Sequence, residues 1–317
     1  MRAVLYATLA KADLVKKLSA ILGDDLKVVD TPEQLVAAIP EADALFMGDM
    51  LYVGQTREAI LNTAKRLKWI QILTAGYDNA KQYGVPAGVQ VTNVGDALAP
   101  GVGLHAISLL LTLQRQVPFF LKNQEKHGWD RSASAKAVIP LGQTCAVLGF
   151  GYIGREIARL MRAMGSHVIG VSRSGAPDSG ADEMQPMAKL DDVLKRADSI
   201  MISLPLDNAT HHLINARTLS LCKKNAIIVN IARGGIIDQI ALTEALKNGT
   251  IAGAGLDVTD PEPLPPEHPL WDAPNLYISP HFAGAAGAIT TDRISEAAAQ
   301  NCERFKRGDA LQNVVKV

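Results

Sequence analysis

Short apolar runs alternate with amphipathic stretches along almost the whole chain. In the first part of the chain, five runs have the length and composition of strands, and they cover residues 2–6, 26–29, 44–47, 68–72 and 89–92. Helical patterns, such as the one over residues 55–64, lie between these runs. This alternation predicts a parallel sheet that helices cover on both faces.

A longer helix separates these strands from a second series. It is predicted from Ala97, because apolar residues then recur at helical spacing, at Val102, Ala106, Leu109 and Leu113. Six further strand-like runs follow, over residues 143–148, 168–172, 199–204, 226–231, 252–256 and 276–279. Six strands with helices between them are the content of a complete dinucleotide-binding fold.

The chain closes with another amphipathic helix. Its apolar face carries Ile294, Ala298 and Phe305, and Gly308 is its stop signal. Because the six-stranded unit before it is already complete, this helix needs another surface to cover. We predict that it packs on the first domain and makes that domain discontinuous.

The 317 residues are enough for two domains, each with its own core. The predicted fold class is α/β, with two doubly wound parallel-sheet domains. A Rossmann cofactor domain, residues 99–286, is inserted into a discontinuous flavodoxin-like substrate domain, residues 1–98 and 287–317.

Composition limits the partners that the chain can have. Its 32 basic and 32 acidic side chains cancel, so no overall field attracts nucleic acid or an anionic membrane. Cys145, Cys222 and Cys302 have neither metal-ligand nor disulfide spacing, which predicts a cytoplasmic protein without a metal site. The most apolar window, residues 104–113, is too short to span a bilayer and favours a buried or interface helix. The N-terminal "MRAVLYATLAKADL" predicts a strand and a helix rather than a targeting segment.

The segment "CAVLGFGYIGREIARL" places Gly149, Gly151 and Gly154 at the GxGxxG spacing, between a strand and an amphipathic helix. In that context the first glycine permits a tight turn, the second lets a pyrophosphate approach the backbone, and the third lets helix and strand pack closely. The helix N-terminus offers amides and a positive dipole end to phosphates. Alone the motif is weak, but its context makes a mere glycine-rich turn a poor explanation.

The next strand ends on Ser172, Arg173 and Ser174, where an NAD site would carry an acidic residue. A carboxylate there would repel the extra phosphate of NADP, whereas an arginine and hydroxyl groups can bind it. The alternative is a solvated arginine in a surface turn. The position after the glycine motif favours NADP(H) as cofactor, with NAD(H) possible.

Three later segments carry charged residues just after predicted strands. Arg233 lies in "VNIARGGIID", Asp257 and Glu262 lie in "GLDVTDPEPLP", and His281 lies in "ISPHFAG". Open α/β sheets bind ligands at this edge. Each residue alone could have a purely structural role. Arg233 could stabilise a loop, Glu262 could be a solvated turn residue, and His281 could be a packed histidine. Three such residues at matching strand ends indicate a site.

These segments resemble those of the D-isomer-specific 2-hydroxyacid dehydrogenases, a family that includes glyoxylate/hydroxypyruvate reductases. The resemblance covers essentially the whole chain and extends to "LKWIQILTAGYDN", "SLPLDNATHHLIN" and "PEPLPPEHPLWDAPN". It implies that Arg233 binds the substrate carboxylate and polarises the C2 carbonyl, as suits a fixed guanidinium. It also implies that His281 donates a proton to the carbonyl oxygen, and that Glu262 orients the ring and raises its pKa.

The resemblance implies further binding residues. Backbone amides of Ala75 and Gly76 would hold the substrate carboxylate, Leu51 would lie near the substrate side chain, and Asp257 would bind the nicotinamide amide. Beyond the glycines, the serine-arginine turn and His281, the positions matching cofactor contacts in the family are Val102, Tyr152, Ile153, Leu204, Pro205, Thr210, Ile231, Ala232, Ala283 and Gly284.

Other positions bear on the comparison with the family. Leu104 stands where the family commonly has an acidic residue. This difference concerns the residues that support the catalytic side chains, and not Arg233, Glu262 or His281 themselves. His211 and His212 are expected at the surface start of a helix, and His105 in the interface helix, none of them catalytic. The apolar helix over residues 104–113 and the loop through Trp129 predict a homodimer, as the resemblance does.

The expected function is reduction of a small 2-oxo acid to the D-2-hydroxy acid with NADPH, with glyoxylate or hydroxypyruvate as leading substrates. A broad 2-oxoacid reductase and a phosphite-type dehydrogenase on the same fold stay open. Formate oxidation is disfavoured, because the family's formate enzymes have glutamine where Glu262 stands. A more distant alternative is an NAD(P)-sensing scaffold similar to the corepressors of this fold.

Overall fold

The computed structural model describes residues 1–285 and 287–317, which form two compact units. Met1–Leu98 and Ala285–Val317 make up the first unit, and Ala99–Gly284 make up the second. Within the described residues no helix is both long and apolar enough to cross a membrane.

The strands are β1 Ala3–Tyr6, β2 Leu26–Val29, β3 Ala44–Met47, β4 Trp69–Ile72, β5 Gln90–Thr92, β6 Thr144–Leu148, β7 His167–Ser172, β8 Glu183–Pro186, β9 Ser199–Ile202, β10 Ile227–Asn230, β11 Gly253–Leu256, β12 Leu276–Ile278 and β13 Val314–Val315. The α-helices are α1 Lys11–Leu22, α2 Pro32–Ala38, α3 Gly54–Thr63, α4 Asp78–Tyr83, α5 Ala99–Gln114, α6 Val117–Glu125, α7 Tyr152–Ala163, α8 Leu190–Arg196, α9 Ala216–Leu221, α10 Gln239–Lys247 and α11 Gly287–Arg307. Every predicted strand is present, with its ends displaced by two residues at most.

The first unit holds a sheet with strand order β13-β5-β4-β3-β1-β2. Strands β1 to β5 run parallel in the flavodoxin-like order 2-1-3-4-5, and β13 pairs antiparallel with β5. Strands β1, β3 and β4 are buried at every position, as expected for a sheet covered on both faces, and of the three only β4 interrupts its apolar run, with the buried Gln71. The C-terminal helix α11 packs on α1 of this unit.

The second unit holds a fully parallel sheet with strand order β12-β11-β10-β9-β6-β7-β8. This is the 3-2-1-4-5-6 order of the dinucleotide-binding fold with a seventh strand added beside the sixth. The predicted fold class is therefore confirmed. The edge strand β8, with sequence EMQP, escaped prediction because it is half-buried and has no apolar run.

Helix α5 is a core helix of the second unit. It packs against β10, β11 and α7, and its residues Ala106, Leu109 and Leu110 are buried. A Cβ added to Gly255 would lie 2.9 Å from the Leu109 Cβ, so the glycine lets helix and sheet approach closely. Of the two alternatives for this apolar window, the structure therefore supports the buried helix, with Leu104 exposed on its outer face.

Candidate active site

The three motif glycines have three different surroundings. Gly149 follows β6 with φ +94°, and an added Cβ would lie 2.7 Å from the Ser203 carbonyl carbon. A Cβ on Gly154 would lie 2.0 Å from the Gly149 carbonyl oxygen, so α7 could not approach β6 with any larger residue. Gly151, in contrast, has no atom within 4 Å of the added Cβ. The loop is closed behind the first and third glycines and open in front of the second, where a ligand has room.

The open side of this loop is the N-terminus of α7. Gly151 is its N-cap and supplies no side-chain cap, and the helix continues through Tyr152 and Ile153. The first amides of a helix have no partners within the helix, and they carry the positive end of its dipole. These residues can therefore hold a phosphate group.

The Ser172–Ser174 turn lies at the carboxyl end of β7, the strand next to β6. The Ser172 Oγ accepts the Gly175 N–H at 3.0 Å, and Gly175 has φ +67° and lies against the Pro186 backbone. This contact fixes the shape of the turn. Arg173 and Ser174 are exposed, so the guanidinium is presented to solvent at the position predicted to bind the extra phosphate.

Asp178 is the first carboxylate after this turn. Its Oδ2 accepts the Nε–H of Arg155 on α7 at 2.9 Å, and its Oδ1 accepts the Gly180 N–H at 2.9 Å. Both oxygens therefore have donors, and Arg155 balances the charge of the nearest acid. Binding of an anion by this turn stays a prediction.

His281 and Glu262 form a hydrogen-bonded pair. The distance from His281 Nδ1 to Glu262 Oε2 is 2.8 Å, and Glu262 Oε1 accepts the Thr259 N–H at 3.0 Å. The carboxylate oxygen beside Nδ1 keeps a proton on that nitrogen, which leaves Nε2 as the ring atom for a substrate. Both side chains are partly exposed, as a site open to ligands requires.

The contact between His281 and Glu262 shifts the pKa of both side chains. The hydrogen bond to Glu262 raises the pKa of His281, while burial and the charge of Arg233 oppose that rise. Burial raises the pKa of Glu262, but the hydrogen bonds from His281 and the Thr259 N–H bring it below its ordinary value. Both shifts favour an imidazolium next to a carboxylate, a pair that can donate a proton.

Arg233 lies in the loop after β10, which the buried Asn230 shapes. Asn230 Nδ2 donates to the Arg233 carbonyl at 2.9 Å, and its Oδ1 accepts the Ala232 N–H at 3.0 Å. An added Cβ on Gly234 would lie 2.0 Å from the Thr259 carbonyl carbon, so only glycine lets this loop approach the loop of Glu262. The structure therefore brings Arg233, Glu262 and His281 to one edge, and the arginine charge acts on the pKa of both partners.

Asp257 follows β11 and is 1% exposed. Its Oδ1 accepts the Phe282 N–H at 2.8 Å, and its Oδ2 accepts the Ala283 N–H at 2.9 Å. The carboxylate lies behind the turn that carries His281, where it supports the backbone. Its role toward a nicotinamide amide stays a prediction.

The other predicted cofactor residues of the second unit follow its strands or line α5. Leu204 and Pro205 follow β9, and the buried Thr210 closes their loop by donating to the Pro205 carbonyl at 2.7 Å. The remaining members are buried or half-buried: Val102, Ile231, Ala232, Ala283 and Gly284.

In the first unit, the predicted substrate residues lie in loops at the carboxyl ends of β3 and β4. Leu51 ends a short 3₁₀ turn, Asp49–Leu51, and is half-buried. Ala75 and Gly76 are also half-buried, and their carbonyls accept hydrogen bonds from Asn93 Nδ2 at 2.9 Å and Thr74 Oγ1 at 2.8 Å. These bonds fix the loop, while substrate binding by its amides stays a prediction.

One expectation about the histidines was wrong. His211 and His212 lie in an exposed turn with stacked rings, and not at a helix start. The helix begins later because Asn215 caps α9 by accepting the N–H groups of Arg217 and Thr218. Among the residues that the structure describes, no three His, Cys, Asp or Glu side chains are grouped to hold a metal ion.

Sequence reasoning missed four residues that shape the site: His105, Asn230, Gly234 and Ser279. Leu104 is 60% exposed, and its neighbour His105 is the residue of that segment that reaches Asp257, at 3.2 Å. A polar residue at a strand end, such as Asn230 and Ser279, was the available signal.

Comparison with known proteins gives a consistent result. Residues 107–283 match the family described as D-isomer specific 2-hydroxyacid dehydrogenase, NAD binding domain. The chain is 34% identical to the D-3-phosphoglycerate dehydrogenase of Mycobacterium leprae over 96% of its own length, and it spans only 57% of that relative. It is 32% identical to the glyoxylate reductase of Thermococcus kodakarensis, covering 89% of this chain and 86% of that one.

A solved structure is similar over the whole chain. The NADPH-dependent glyoxylate/hydroxypyruvate reductase of Sinorhizobium meliloti, in complex with NADP and sulfate, has a TM-score of 0.83 to this chain at 26% identity. The match covers 100% of this chain and 98% of that one.

Proposed function

Because the chain belongs to the D-isomer specific 2-hydroxyacid dehydrogenase family, we propose that it reduces a small 2-oxo acid to the D-2-hydroxy acid with NADPH. The observation that carries this proposal is the 2.8 Å hydrogen bond between His281 Nδ1 and Glu262 Oε2, at the strand edge that also holds Arg233. A histidine whose pKa is raised by a carboxylate, at the same edge as an arginine, suits the reduction of a carbonyl in an anionic substrate.

The three charged side chains divide the work. Arg233 binds the substrate carboxylate and withdraws charge from the C2 carbonyl oxygen. His281 donates its Nε2 proton to that oxygen, and Glu262 stabilises the imidazolium until the transfer. Bound NADPH supplies the hydride that reaches C2. In the oxidative direction His281 takes the proton back.

The residues around Gly151 fit a dinucleotide. The space in front of this glycine and the uncapped N-terminus of α7 suit a pyrophosphate. The exposed Arg173, with Ser172 and Ser174, suits a 2′-phosphate, and the nearest acid, Asp178, is paired with Arg155. We therefore propose NADP(H) as the preferred cofactor, with NAD(H) possible.

Replacing Arg173 by alanine is expected to weaken NADPH binding by about tenfold to a hundredfold, because a charge-assisted contact to the 2′-phosphate is lost. NADH binding is expected to change by less than about twofold. Titration of both cofactors by fluorescence measures the two dissociation constants. Arg217→Ala, which removes an exposed arginine paired with Asp191, is the control. An equal loss for both cofactors would make Arg173 an ordinary surface residue.

Replacing Glu262 by glutamine is expected to move the histidine-linked limb of the reduction pH profile to lower pH. Reduction requires protonated His281, and a neutral amide stabilises the imidazolium less than a carboxylate does, so the pKa of His281 falls. For each unit of that fall, the rate on the alkaline side drops about tenfold. Glu267→Gln, an exposed residue of the same loop, is the control. A limb that stays in place would argue against the pairing.

The substrate loops of the first unit favour an uncharged substrate side chain. The sequences GDMLYV after β3 and LTAGY after β4 contain no lysine, arginine or histidine, so these two loops supply no cation for a phosphate. Glyoxylate and hydroxypyruvate are therefore the leading substrates, and D-3-phosphoglycerate is disfavoured. A panel of 2-oxo acids with NADPH and NADH tests the function, with D-3-phosphoglycerate and phosphite in the oxidative direction. If no 2-oxo acid is reduced with either cofactor, the proposal fails.

We also propose a cytoplasmic homodimer. The segment after α5 exposes apolar side chains, above all Trp129, at 95% exposure, with Phe120, Leu121 and Leu141. The free cysteines fit a reducing compartment. Sedimentation that detects only monomer would contradict the dimer.

A further inference from the structure

Three polar side chains form a network behind the turn that carries His281, with Asp257 and Ser279 buried and His105 half-buried. Ser279 Oγ donates to Asp257 Oδ1 at 2.6 Å. His105 Nε2, on α5, lies 2.8 Å from Ser279 Oγ and 3.2 Å from Asp257 Oδ1. Because the Ser279 hydroxyl donates its hydrogen to the carboxylate, the hydroxyl oxygen can accept a hydrogen bond from the Nε2–H of His105.

Asp257 connects this network to three successive backbone amides. Its carbonyl oxygen accepts the His281 N–H at 2.8 Å, and its carboxylate accepts the Phe282 and Ala283 N–H groups at 2.8 and 2.9 Å. A buried carboxylate is tolerated only where enough donors surround it. Ser279, which donates to Asp257 Oδ1, and His105 complete that set.

The turn needs this support because of its backbone conformation. His281 has φ +50°, a left-handed conformation that is uncommon for a residue with a side chain and persists only where its surroundings hold it. Helix α5 is packed on the sheet of the same unit, so His105 ties the turn to a rigid element.

We propose that His105 and Ser279 are positioning residues for the reaction. Through Asp257 they hold the His281 turn so that the ring keeps its hydrogen bond to Glu262 and presents Nε2 to the substrate. This inference rests on the proposed role of His281 as proton donor. The charged groups that face His281 are Glu262, Arg233 and Asp257, and only Asp257 changes its hydrogen bonds when the network is altered.

A positioning role differs from a cofactor-binding role in what it changes. If the network serves the turn, its loss displaces the imidazole and lowers kcat, while NADPH affinity is kept. If the network prepares Asp257 for the nicotinamide amide, its loss weakens NADPH binding instead. The titration of His281 separates the positioning role from general destabilisation, because only a displaced ring loses its hydrogen bond to Glu262.

Ser279→Ala and His105→Leu each remove one donor, whereas His105→Gln keeps an N–H at about the place of Nε2. The first two are expected to lower kcat about tenfold to a hundredfold, the cost of a catalytic group displaced by about 1 Å or less. We expect His105→Gln to retain most of the activity. Ser108→Ala, which removes an exposed hydroxyl on the same helix, is the matched control and is expected to behave as wild type.

Three measurements are made on each variant: kcat at saturating NADPH, the dissociation constant of NADPH, and the pKa of His281 by NMR. The NMR signal is assigned by its absence in His281→Asn. The expected result is a lower kcat and a lower His281 pKa, with NADPH affinity within about threefold of wild type. Unchanged kcat and pKa in both Ser279→Ala and His105→Leu would overturn the inference, as would a loss confined to NADPH affinity. If the wild-type protein reduces no 2-oxo acid, the proposed function fails, and the NMR titration still decides whether the network holds the ring.

Discussion

Replacing His281 by asparagine is expected to lower kcat for 2-oxo acid reduction by about 10²- to 10⁴-fold, the usual contribution of a general acid. Asparagine is the sharpest replacement, because it tolerates the left-handed backbone of this position, φ +50°, and remains polar. The loss then reports the missing proton donor rather than a collapsed turn. Steady-state rates at saturating NADPH measure it.

The result depends on NADPH still binding to the variant. We expect its dissociation constant to stay within about threefold of wild type, because a general acid acts on the chemical step. His167→Asn is the control. His167 is the first residue of β7, so it lies at the amino ends of the strands, whereas His281 follows the carboxyl end of β12. A variant that keeps more than about a tenth of the wild-type kcat would remove His281 from the role of proton donor.

Replacing Arg233 by glutamine is expected to lower kcat/KM by about 10²- to 10³-fold, because a fixed charge at the developing oxyanion is lost. The same change is expected to raise the pKa of His281, since the charge of Arg233 opposes protonation of the ring. The histidine-linked limb of the reduction profile then moves to higher pH, opposite to its movement in Glu262→Gln.

A general structural defect would not move the histidine-linked limb to higher pH in Arg233→Gln and to lower pH in Glu262→Gln. Arg217→Gln, at an exposed arginine, is expected to leave both kcat/KM and the limb unchanged. A normal kcat/KM in Arg233→Gln, or a limb that moves to lower pH, would contradict the placement of Arg233 beside the histidine pair.

The fold was predictable where burial on both faces left an unbroken apolar run. The strands Ala3–Tyr6 and Ala44–Met47 are of this kind, and both are buried at every position. The edge strand Glu183–Pro186 and the two-residue strand Val314–Val315 were not predictable, since pairing and not apolar burial defines them. The family predicted from the motifs is confirmed by the match over residues 107–283.

The charged residues of the candidate site were predictable from the sequence, but the residues that hold them in place were not. Arg233, Glu262 and His281 could be found because each charged residue follows a strand. The contact between His105 and Ser279 joins positions 174 residues apart, so only tertiary packing brings them together. Gly234 likewise looks like any loop glycine in the sequence, and its purpose is visible only against the Thr259 backbone.

The most direct test of the proposed reaction follows the hydride from NADPH to C2 of the 2-oxo acid. The protein is incubated with glyoxylate or hydroxypyruvate and with NADPH deuterated at the transferable position of the nicotinamide, and the product is examined by mass spectrometry and NMR. For the chiral product of hydroxypyruvate, chiral chromatography is added. We expect a 2-hydroxy acid with one deuterium at C2, and we expect the product of hydroxypyruvate to have the D configuration. A product without deuterium at C2, or no 2-hydroxy acid at all, would contradict the proposed reaction.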